Sequence, residues 1–313
     1  MPHLHRPADA HAHGPGCSHS LPADRLHRAM AAGVALNTLF VVAEAAAGFA
    51  AGSLALLADA GHNAGDVLGL VLAWGASWLA RRPPSRRFTW GLRRSTIYAA
   101  LANAVLLLVA CGGIAWEAVH RFSNPTPVTG PIVIGVAALG VVLNTLTALL
   151  FLKGHGDANV RAAFLHMAAD AAVSLGVVVA GVAIAVTGLV WIDPLVSLVV
   201  AAVIVAGTWG LFRESLDLAL DAVPRGVVPE AIEAALAVLP GVSEVHDLHV
   251  WGASTSEVSL TAHLVTPEGS DRDALLAAAE TLLRERFGVA HSTIQIEGPA
   301  VGPACRQRPA EAL

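Results

Sequence analysis

Long apolar stretches alternate with short polar links over the first two thirds of the chain. Six of these stretches are long enough to cross a hydrocarbon layer about 30 Å thick. They cover approximately residues 29–50, 54–80, 96–119, 128–152, 159–187 and 190–212. The pattern therefore predicts six transmembrane helices, which place both ends of the chain on the same side of the bilayer.

The pattern changes after about residue 215, where prolines and acidic residues appear and the apolar runs become short. Pro229 and Pro240 bound a predicted helix, and Asp271 and Gly288 suit the two ends of another. β-Branched residues in partial alternation predict strands. The predicted order is αββαβ, with a helix at 229–239, strands at 242–251 and 258–265, a helix at 271–287 and a strand at 292–297.

Residues 1–28 carry six histidines among several prolines and glycines, a composition that does not build a core. We read this segment as a disordered tail, either a metal collector or a solvated extension without that role. The predicted division is a tail at 1–28, a transmembrane domain at 29–215, a small α+β domain at 216–298 and a C-terminal tail at 299–313.

The composition agrees with a membrane protein. Hydrophobic residues make up 55% of the chain and charged residues 14%, and the mean hydropathy is +0.62. An average soluble domain carries about 25% charged residues. Six arginines lie between the second and third apolar stretches, whereas only Arg121 lies on the opposite side. By the positive-inside rule both termini are cytoplasmic.

Other properties exclude alternative classes. A net charge of -5 gives no basis for binding nucleic acid. Three cysteines do not suggest a disulfide framework, and residues 1–28 lack the short apolar core of a cleavable signal peptide. A chain rich in alanine, glycine and arginine without targeting signals favours a bacterial cytoplasmic membrane.

Two pairs of polar residues interrupt the apolar stretches. His62 and Asp66 lie four residues apart in the second stretch, and His166 and Asp170 have the same spacing in the fifth. Four residues make one helical turn, so each imidazole projects from the same face as its carboxylate. Two such helices could offer two nitrogens and two oxygens to one zinc ion. The alternative is that each pair is a polar contact between helices.

A weak internal repeat supports the metal interpretation. The tetrapeptide Leu-Asn-Thr-Leu occurs at 36–39 and at 143–146, and each copy precedes a stretch with a His-x-x-x-Asp pair. Three spans per copy would invert one half relative to the other, which places a substrate site near the middle of the membrane. A match of four residues can also arise by chance.

Two further acids lie near the first pair. Asp59 precedes His62 by three residues, which suits either a hydrogen bond to the imidazole or a helix cap. Glu44 lies in the first stretch, where it could move protons, orient a ligand or make a polar contact between helices.

Three parts of the sequence resemble the cation diffusion facilitator family of metal/proton antiporters, specifically its zinc-transporting branch. They are residues 53–68, the His166-x-x-x-Asp170 pair and residues 245–251, Val-His-Asp-Leu-His-Val-Trp, and the likeness extends over about residues 28–298. The resemblance implies a homodimer with six transmembrane helices and a metallochaperone-like cytoplasmic domain. It also implies that His62, Asp66, His166 and Asp170 form the transport site, mainly for zinc, with cadmium often tolerated.

The resemblance implies a second, regulatory metal site in the cytoplasmic domain, formed by His246, His263 and Glu297. His249 and His291 are weaker candidates, as are Cys17 with its neighbour His19 and Cys305. Many family members carry a histidine-rich segment between the fourth and fifth spans, but here that link is short and holds only His155. The tail at 1–28 could replace that segment.

The sequence therefore predicts a secondary transporter in the lipid bilayer that exports Zn²⁺ in exchange for H⁺. The alternatives are the same antiport with another divalent metal (Cd²⁺, Co²⁺ or Fe²⁺) or a membrane metal sensor. An intramembrane metallohydrolase would need an open metal position and a general base, and the chain has no His-Glu-x-x-His pattern. We therefore do not expect an enzyme.

Overall fold

The computed structural model describes residues 23–151 and 158–301. Residues 1–22 of the histidine-rich tail, with Cys17 and His19, precede these residues, His155 falls in the gap, and Cys305 follows them. The expectations for those residues therefore lie outside the described part of the chain. Residues 23–28, which we assigned to the disordered tail, are instead helical, because the first long helix begins at Ala23.

Six long helices make up the N-terminal two thirds of the described structure. Their bounds agree with the apolar stretches to within about seven residues at each end. The helices are α1 (Ala23–Ala51), α2 (Leu54–Ala80), α3 (Ser95–Ser123), α4 (Gly130–Phe151), α5 (Ala158–Thr187) and α6 (Ile192–Ala219).

Five of these helices, α1 and α3 to α6, are long and apolar enough to cross a membrane within the described residues. Helix α2 has 27 residues but does not meet that criterion. The reason is its composition, because Asp59, His62, Asn63 and Asp66 fall within two turns of one another. The prediction of six spans is therefore confirmed for five helices. Whether α2 also crosses the membrane depends on whether its polar residues face the other helices or lipid.

Small residues let the helices approach closely. A Cβ atom placed on Gly130 of α4 would lie 2.9 Å from the carbonyl oxygen of Gly181 on α5. Close backbone approach of this kind is typical of helix pairs in membranes. Many large apolar side chains on the outer faces of the bundle are exposed, including Phe49, Trp74 and Val186, as expected for surfaces that contact lipid.

The N-terminus of α2 is held by a carboxylate from another helix. Asp193, in the first turn of α6, accepts hydrogen bonds from the Ser53 hydroxyl at 2.5 Å and from the backbone amide of Leu54 at 2.7 Å. Arg121 of α3 lies 3.8 Å from the same carboxylate. The negative charge complements the free amides and the dipole at the start of α2. This contact fixes α2 relative to α3 and α6.

The C-terminal domain has the predicted αββαβ order. Its elements are α7 (Pro229–Ala237), β1 (Glu244–Gly252), β2 (Val258–Val265), α8 (Arg272–Phe287) and β3 (Val289–Glu297). Strand β2 is central, antiparallel to β1 and parallel to β3. The last strand begins three residues earlier than residue 292, because Gly288 ends α8 in a left-handed conformation and the chain extends at once.

The segment between α2 and α3 contacts the C-terminal domain. The Arg93 guanidinium donates to the Glu257 carboxylate at 2.8 Å, and the backbone amide of Thr255 donates to the Thr96 hydroxyl at 3.2 Å. The Arg94 side chain pairs with Asp221 just after α6. These contacts join the start of α3 to the turn between β1 and β2 and to the segment that follows α6.

Candidate metal centres

The first candidate centre lies between α2 and α5. The His62 Nε2 atom is 3.0 Å from Asp170 Oδ1 and 3.9 Å from Asp66 Oδ2. The His166 Nε2 atom is 3.4 Å from Asp66 Oδ2 and 3.7 Å from Asp170 Oδ2. Each imidazole therefore approaches the carboxylates of both helices. The structure brings together the four side chains that the two spacings singled out.

The separations suit a small tetrahedral ion. Bonds from zinc to nitrogen or oxygen of about 2.0–2.1 Å place neighbouring ligand atoms about 3.3–3.4 Å apart. The four nitrogen-to-oxygen distances, 3.0–3.9 Å, bracket that value. His62, Asp66 and Asp170 already offer ligand atoms within 4.8 Å of one another. His166 lies outside this group of three, on the more open side of the centre, since its side chain is 48% exposed and that of Asp170 only 3%.

The side chains around this centre correct one expectation. We predicted that Asp59 hydrogen-bonds to His62 or caps a helix, and neither occurs. Asp59 instead accepts a hydrogen bond from the Ser174 hydroxyl of α5 at 2.7 Å, and α2 begins five residues before it. His62 Nδ1 has no hydrogen-bond partner among the described residues. Glu44 makes the expected contact between helices, because the Asn63 amide donates to its Oε2 atom at 3.0 Å.

The second candidate centre lies on one face of the sheet in the C-terminal domain. Residues His246 and His263 are paired across β1 and β2, and Glu297 ends β3. The His246 Nε2 atom is 3.4 Å from Glu297 Oε2, and the His263 Nδ1 atom is 3.2 Å from Glu297 Oε1. All three residues are buried, with no more than 7% of their surface exposed.

The hydrogen bonds of this cluster are incomplete. Neither ring nitrogen of His246 has a hydrogen-bond partner in residues 23–151 and 158–301, and the same is true of Glu297 Oε2. Buried polar atoms are normally paired, because an unpaired one costs about 1–3 kcal/mol. The unpaired nitrogens of His246 and the unpaired oxygen of Glu297 lie beside the imidazole of His263, and this set of side chains fits a divalent cation.

Sequence reasoning missed a neighbour of this cluster, Asp247. Its carboxylate lies 3.4 Å from His263 Nε2 and 3.0 Å from His249 Nε2. In a regular strand residue 247 would face away from residue 246. The register of β1 shifts between His246 and His249, and Asp247 adopts a positive φ of 50°. This bulge places Asp247 beside the cluster, and no pattern of alternating residues could have shown it.

The two weaker histidine candidates lie at the edge of the domain. His249 is 64% exposed and contacts Asp247. His291 lies against Trp90, with ring centroids 4.6 Å apart. Within the described residues neither belongs to a group of three metal-binding side chains, and only the two centres above form such groups.

Comparison with known proteins identifies both domains. Residues 30–218 match the family model described as the cation efflux transmembrane domain, and residues 224–299 match the model described as the cation efflux protein, cytoplasmic domain. These two matches cover most of the chain.

Several curated proteins are similar over nearly the whole chain. The zinc transporter ZitB of Escherichia coli (strain K12) is 36% identical over 300 residues, which is 95% of each chain. The cation efflux system protein CzcD of Alcaligenes sp. (strain CT14) is 32% identical over 91% of this chain and 90% of its own. The cadmium, cobalt and zinc/H(+)-K(+) antiporter of Bacillus subtilis (strain 168) is 32% identical over 84% of this chain and 86% of its own.

One solved structure matches the C-terminal region. The metal-bound C-terminal domain of the CzcD transporter from Cuprividus metallidurans is 30% identical and covers 23% of this chain and 99% of its own, with a TM-score of 0.22.

Proposed function

Because the chain belongs to the cation efflux family, we propose that it exports Zn²⁺ from the cytoplasm in exchange for protons. Family membership confirms the resemblance read from the sequence and makes the protein an integral membrane transporter of metal cations, not an enzyme. The identity of the metal, the counter-ion and the roles of individual residues are our proposals.

The topology we propose has six spans, with α2 as the second. Its polar residues face the bundle instead of lipid, which removes the main objection to placing them in a membrane. Asp59 is fully buried, and His62 and Asp66 contact residues of α5. Both termini and the C-terminal domain then lie on the cytoplasmic side, as the arginine distribution predicts.

The observation that carries the proposal is the convergence of His62, Asp66, His166 and Asp170 between two helices. A polar contact between helices would be satisfied by one imidazole and one carboxylate. Here two carboxylates lie between apolar helices, Asp170 buried and Asp66 34% exposed, and each lies beside both imidazoles. A divalent cation compensates two carboxylates, and mixed nitrogen and oxygen ligands suit zinc. Cadmium and cobalt appear in the names of similar transporters, so these ions and iron remain the alternatives.

Proton exchange follows from the chemistry of the ligands. Metal binding needs neutral imidazoles and ionised carboxylates, so protons and zinc compete for the same atoms. Histidine changes its charge near neutral pH, and small changes in its surroundings switch it. We propose that the outward-facing centre takes up protons and releases zinc, then returns protonated. Rocking of the two symmetry-related halves would alternate its exposure.

The exchange is tested with the purified protein in proteoliposomes that hold a zinc-sensitive and a pH-sensitive dye. With an acidic lumen, we expect external zinc to be taken up while the lumen becomes more alkaline. Cadmium, cobalt and iron are compared at equal concentration. A metal sensor would bind zinc without any luminal signal, so zinc binding with no uptake would refute the transporter proposal.

We also propose that His246, His263 and Glu297 hold a regulatory zinc ion in the cytoplasmic domain, with Asp247 oriented towards His263. The protein would act as a homodimer, as the resemblance implies. In this arrangement the contacts between Arg93 and Glu257 and between Arg94 and Asp221 connect the domain to α3 and α6.

Replacing His263 by alanine should remove the cytoplasmic zinc ion and leave the transport centre intact. Loss of one of three ligands is expected to weaken zinc affinity at this site at least about 100-fold. The measurement is the number of zinc ions bound per full-length chain, counted at equilibrium, together with zinc uptake at saturating zinc. His291→Ala is the matched control and should bind as many ions as the wild type. An unchanged zinc count in His263→Ala would exclude the proposed site.

A further inference from the structure

Two buried carboxyl groups outside the transport centre have no role in the exchange described above. Glu44 lies on α1 and Asp59 on α2, and both residues are fully buried. The Glu44 carboxyl group lies against the amide of Asn63, which follows Asp59 by one turn on the same face of α2, so both carboxyl groups lie in the same part of the interface between the two helices. Asp66 and Asp170 differ from these two groups, because each of them lies beside an imidazole.

The donors around this pair are too few for two ionised groups. Glu44 Oε2 accepts from the Asn63 amide at 3.0 Å, and Asp59 Oδ2 accepts from the Ser174 hydroxyl at 2.7 Å. The remaining oxygens, Glu44 Oε1 and Asp59 Oδ1, accept no hydrogen bond from any described residue. No arginine or lysine in the described ranges forms an ion pair with either group.

The wider surroundings add little positive charge. Helix α4, which packs against α1, has no titratable side chain along its whole length. On α2, His62 follows Asp59 by three residues, and on α5, Asp170 precedes Ser174, the partner of Asp59, by one turn. His62 is engaged with Asp170 at 3.0 Å, so the imidazole and that carboxylate largely offset each other.

Two carboxylates in contact within an apolar bundle cannot both be ionised without a cation beside them. One proton shared between them removes the repulsion and supplies the missing donor for one of the unpaired oxygens. This is the physical situation of paired carboxylic acids that hold a single proton between them. A single shared proton would therefore satisfy the Glu44 and Asp59 pair when the transport centre has no metal.

We propose that Glu44 and Asp59 form a proton-binding site that empties when zinc occupies the neighbouring transport centre. Asp59 precedes His62 by three residues on α2, and its partner Ser174 follows Asp170 by one turn of α5. The two positive charges of zinc would stabilise the ionised pair across this short distance. Zinc release then lets the pair take up its proton again. This inference rests on the proposed exchange and adds a second group that carries protons.

The test is the number of protons released when zinc binds to the purified full-length protein in weak buffer. Glu44→Gln and Asp59→Asn keep the shape of each side chain but cannot ionise. Both should still bind zinc at the transport centre, and each should release about one proton fewer per zinc than the wild type. Glu117→Gln is the matched control, because Glu117 is exposed on α3 and pairs with Arg121. Its proton count should equal that of the wild type.

Transport gives the same test a second readout. Each coupled proton contributes about a factor of ten to the zinc accumulation ratio per unit of pH gradient when the membrane potential is held at zero. Losing one proton should lower the limiting ratio of Glu44→Gln about tenfold in a gradient of one pH unit. A proton count and an accumulation ratio equal to those of the wild type would overturn the inference.

A measurement on the wild type does not depend on the folding of any variant. The carbonyl stretch of a protonated carboxylic acid should be present in the infrared spectrum of the metal-free protein at neutral pH and should disappear when zinc binds. No loss of such a band on zinc binding would overturn the inference. A different result is expected if the proposed function itself is wrong. The wild type would then take up zinc without moving protons, or would take up no zinc.

Discussion

Replacing Asp170 by alanine should abolish zinc and proton exchange. Asp170 is the most deeply buried of the four proposed ligands, and its two oxygens lie 3.0 and 3.7 Å from the Nε2 atoms of His62 and His166. Without it the centre has three ligands and one negative charge fewer. We expect zinc flux to fall by at least about 100-fold. The protein should stay folded, because removing a carboxylate from an apolar bundle also removes the cost of burying it.

Asp217→Ala is the matched control for this prediction, because Asp217 is an exposed aspartate near the end of α6. It should exchange zinc at the rate of the wild type. Normal exchange by Asp170→Ala, measured with both dyes at several zinc concentrations, would rule out the four-ligand centre. Replacing His62, Asp66 or His166 by alanine should abolish zinc and proton exchange in the same way.

Replacing Asp193 by alanine should destabilise the membrane domain more than any other single removal of a carboxylate. The Asp193 carboxylate accepts hydrogen bonds from Ser53, Leu54 and Ala55, at 2.5, 2.7 and 3.4 Å respectively, and it faces Arg121. Its loss leaves buried donors and a cation without a partner, at a cost of about 3 kcal/mol or more. We expect the melting temperature of the purified protein to fall by at least about 5 °C.

Two comparisons make this result specific. Asp271→Ala removes the exposed cap of α8, whose side chain accepts a hydrogen bond from the Ala274 amide, and should cost only about 1 kcal/mol. Zinc flux should fall with stability in Asp193→Ala, since the cap positions the helix that carries His62 and Asp66. If Asp193→Ala melts as the wild type does, the carboxylate does not hold the start of α2.

Local patterns were sufficient to predict the long helices and the four side chains that meet between α2 and α5. The spacing of His62 and Asp66 on one turn, and of His166 and Asp170 on another, is a property of a single helix and is visible in the sequence. That the two turns meet is a property of packing, and the sequence only suggested it through the weak repeat. The αββαβ order followed in the same way from short stretches with clear helix ends and turns.

Contacts between distant residues were not predictable. Asp193 lies 140 residues from Ser53, and no local pattern in the sequence indicates this contact. Asp59 was assigned the wrong partner because spacing on α2 pointed to His62, whereas Ser174 on α5 offers a hydroxyl from across the interface. Asp247 reaches His263 through a bulge that breaks the period of two on which strand predictions depend.

The most direct test of the central claim is zinc accumulation against its own gradient. Proteoliposomes are prepared with equal zinc on both sides, an acidic lumen and the membrane potential held at zero, and luminal zinc and pH are recorded together. We expect zinc to accumulate in the lumen as protons leave, and we expect neither signal from the variant with alanine at His62, Asp66, His166 and Asp170. Accumulation that persists in that variant, or wild-type zinc movement that does not depend on the pH gradient, would exclude zinc and proton exchange at this centre.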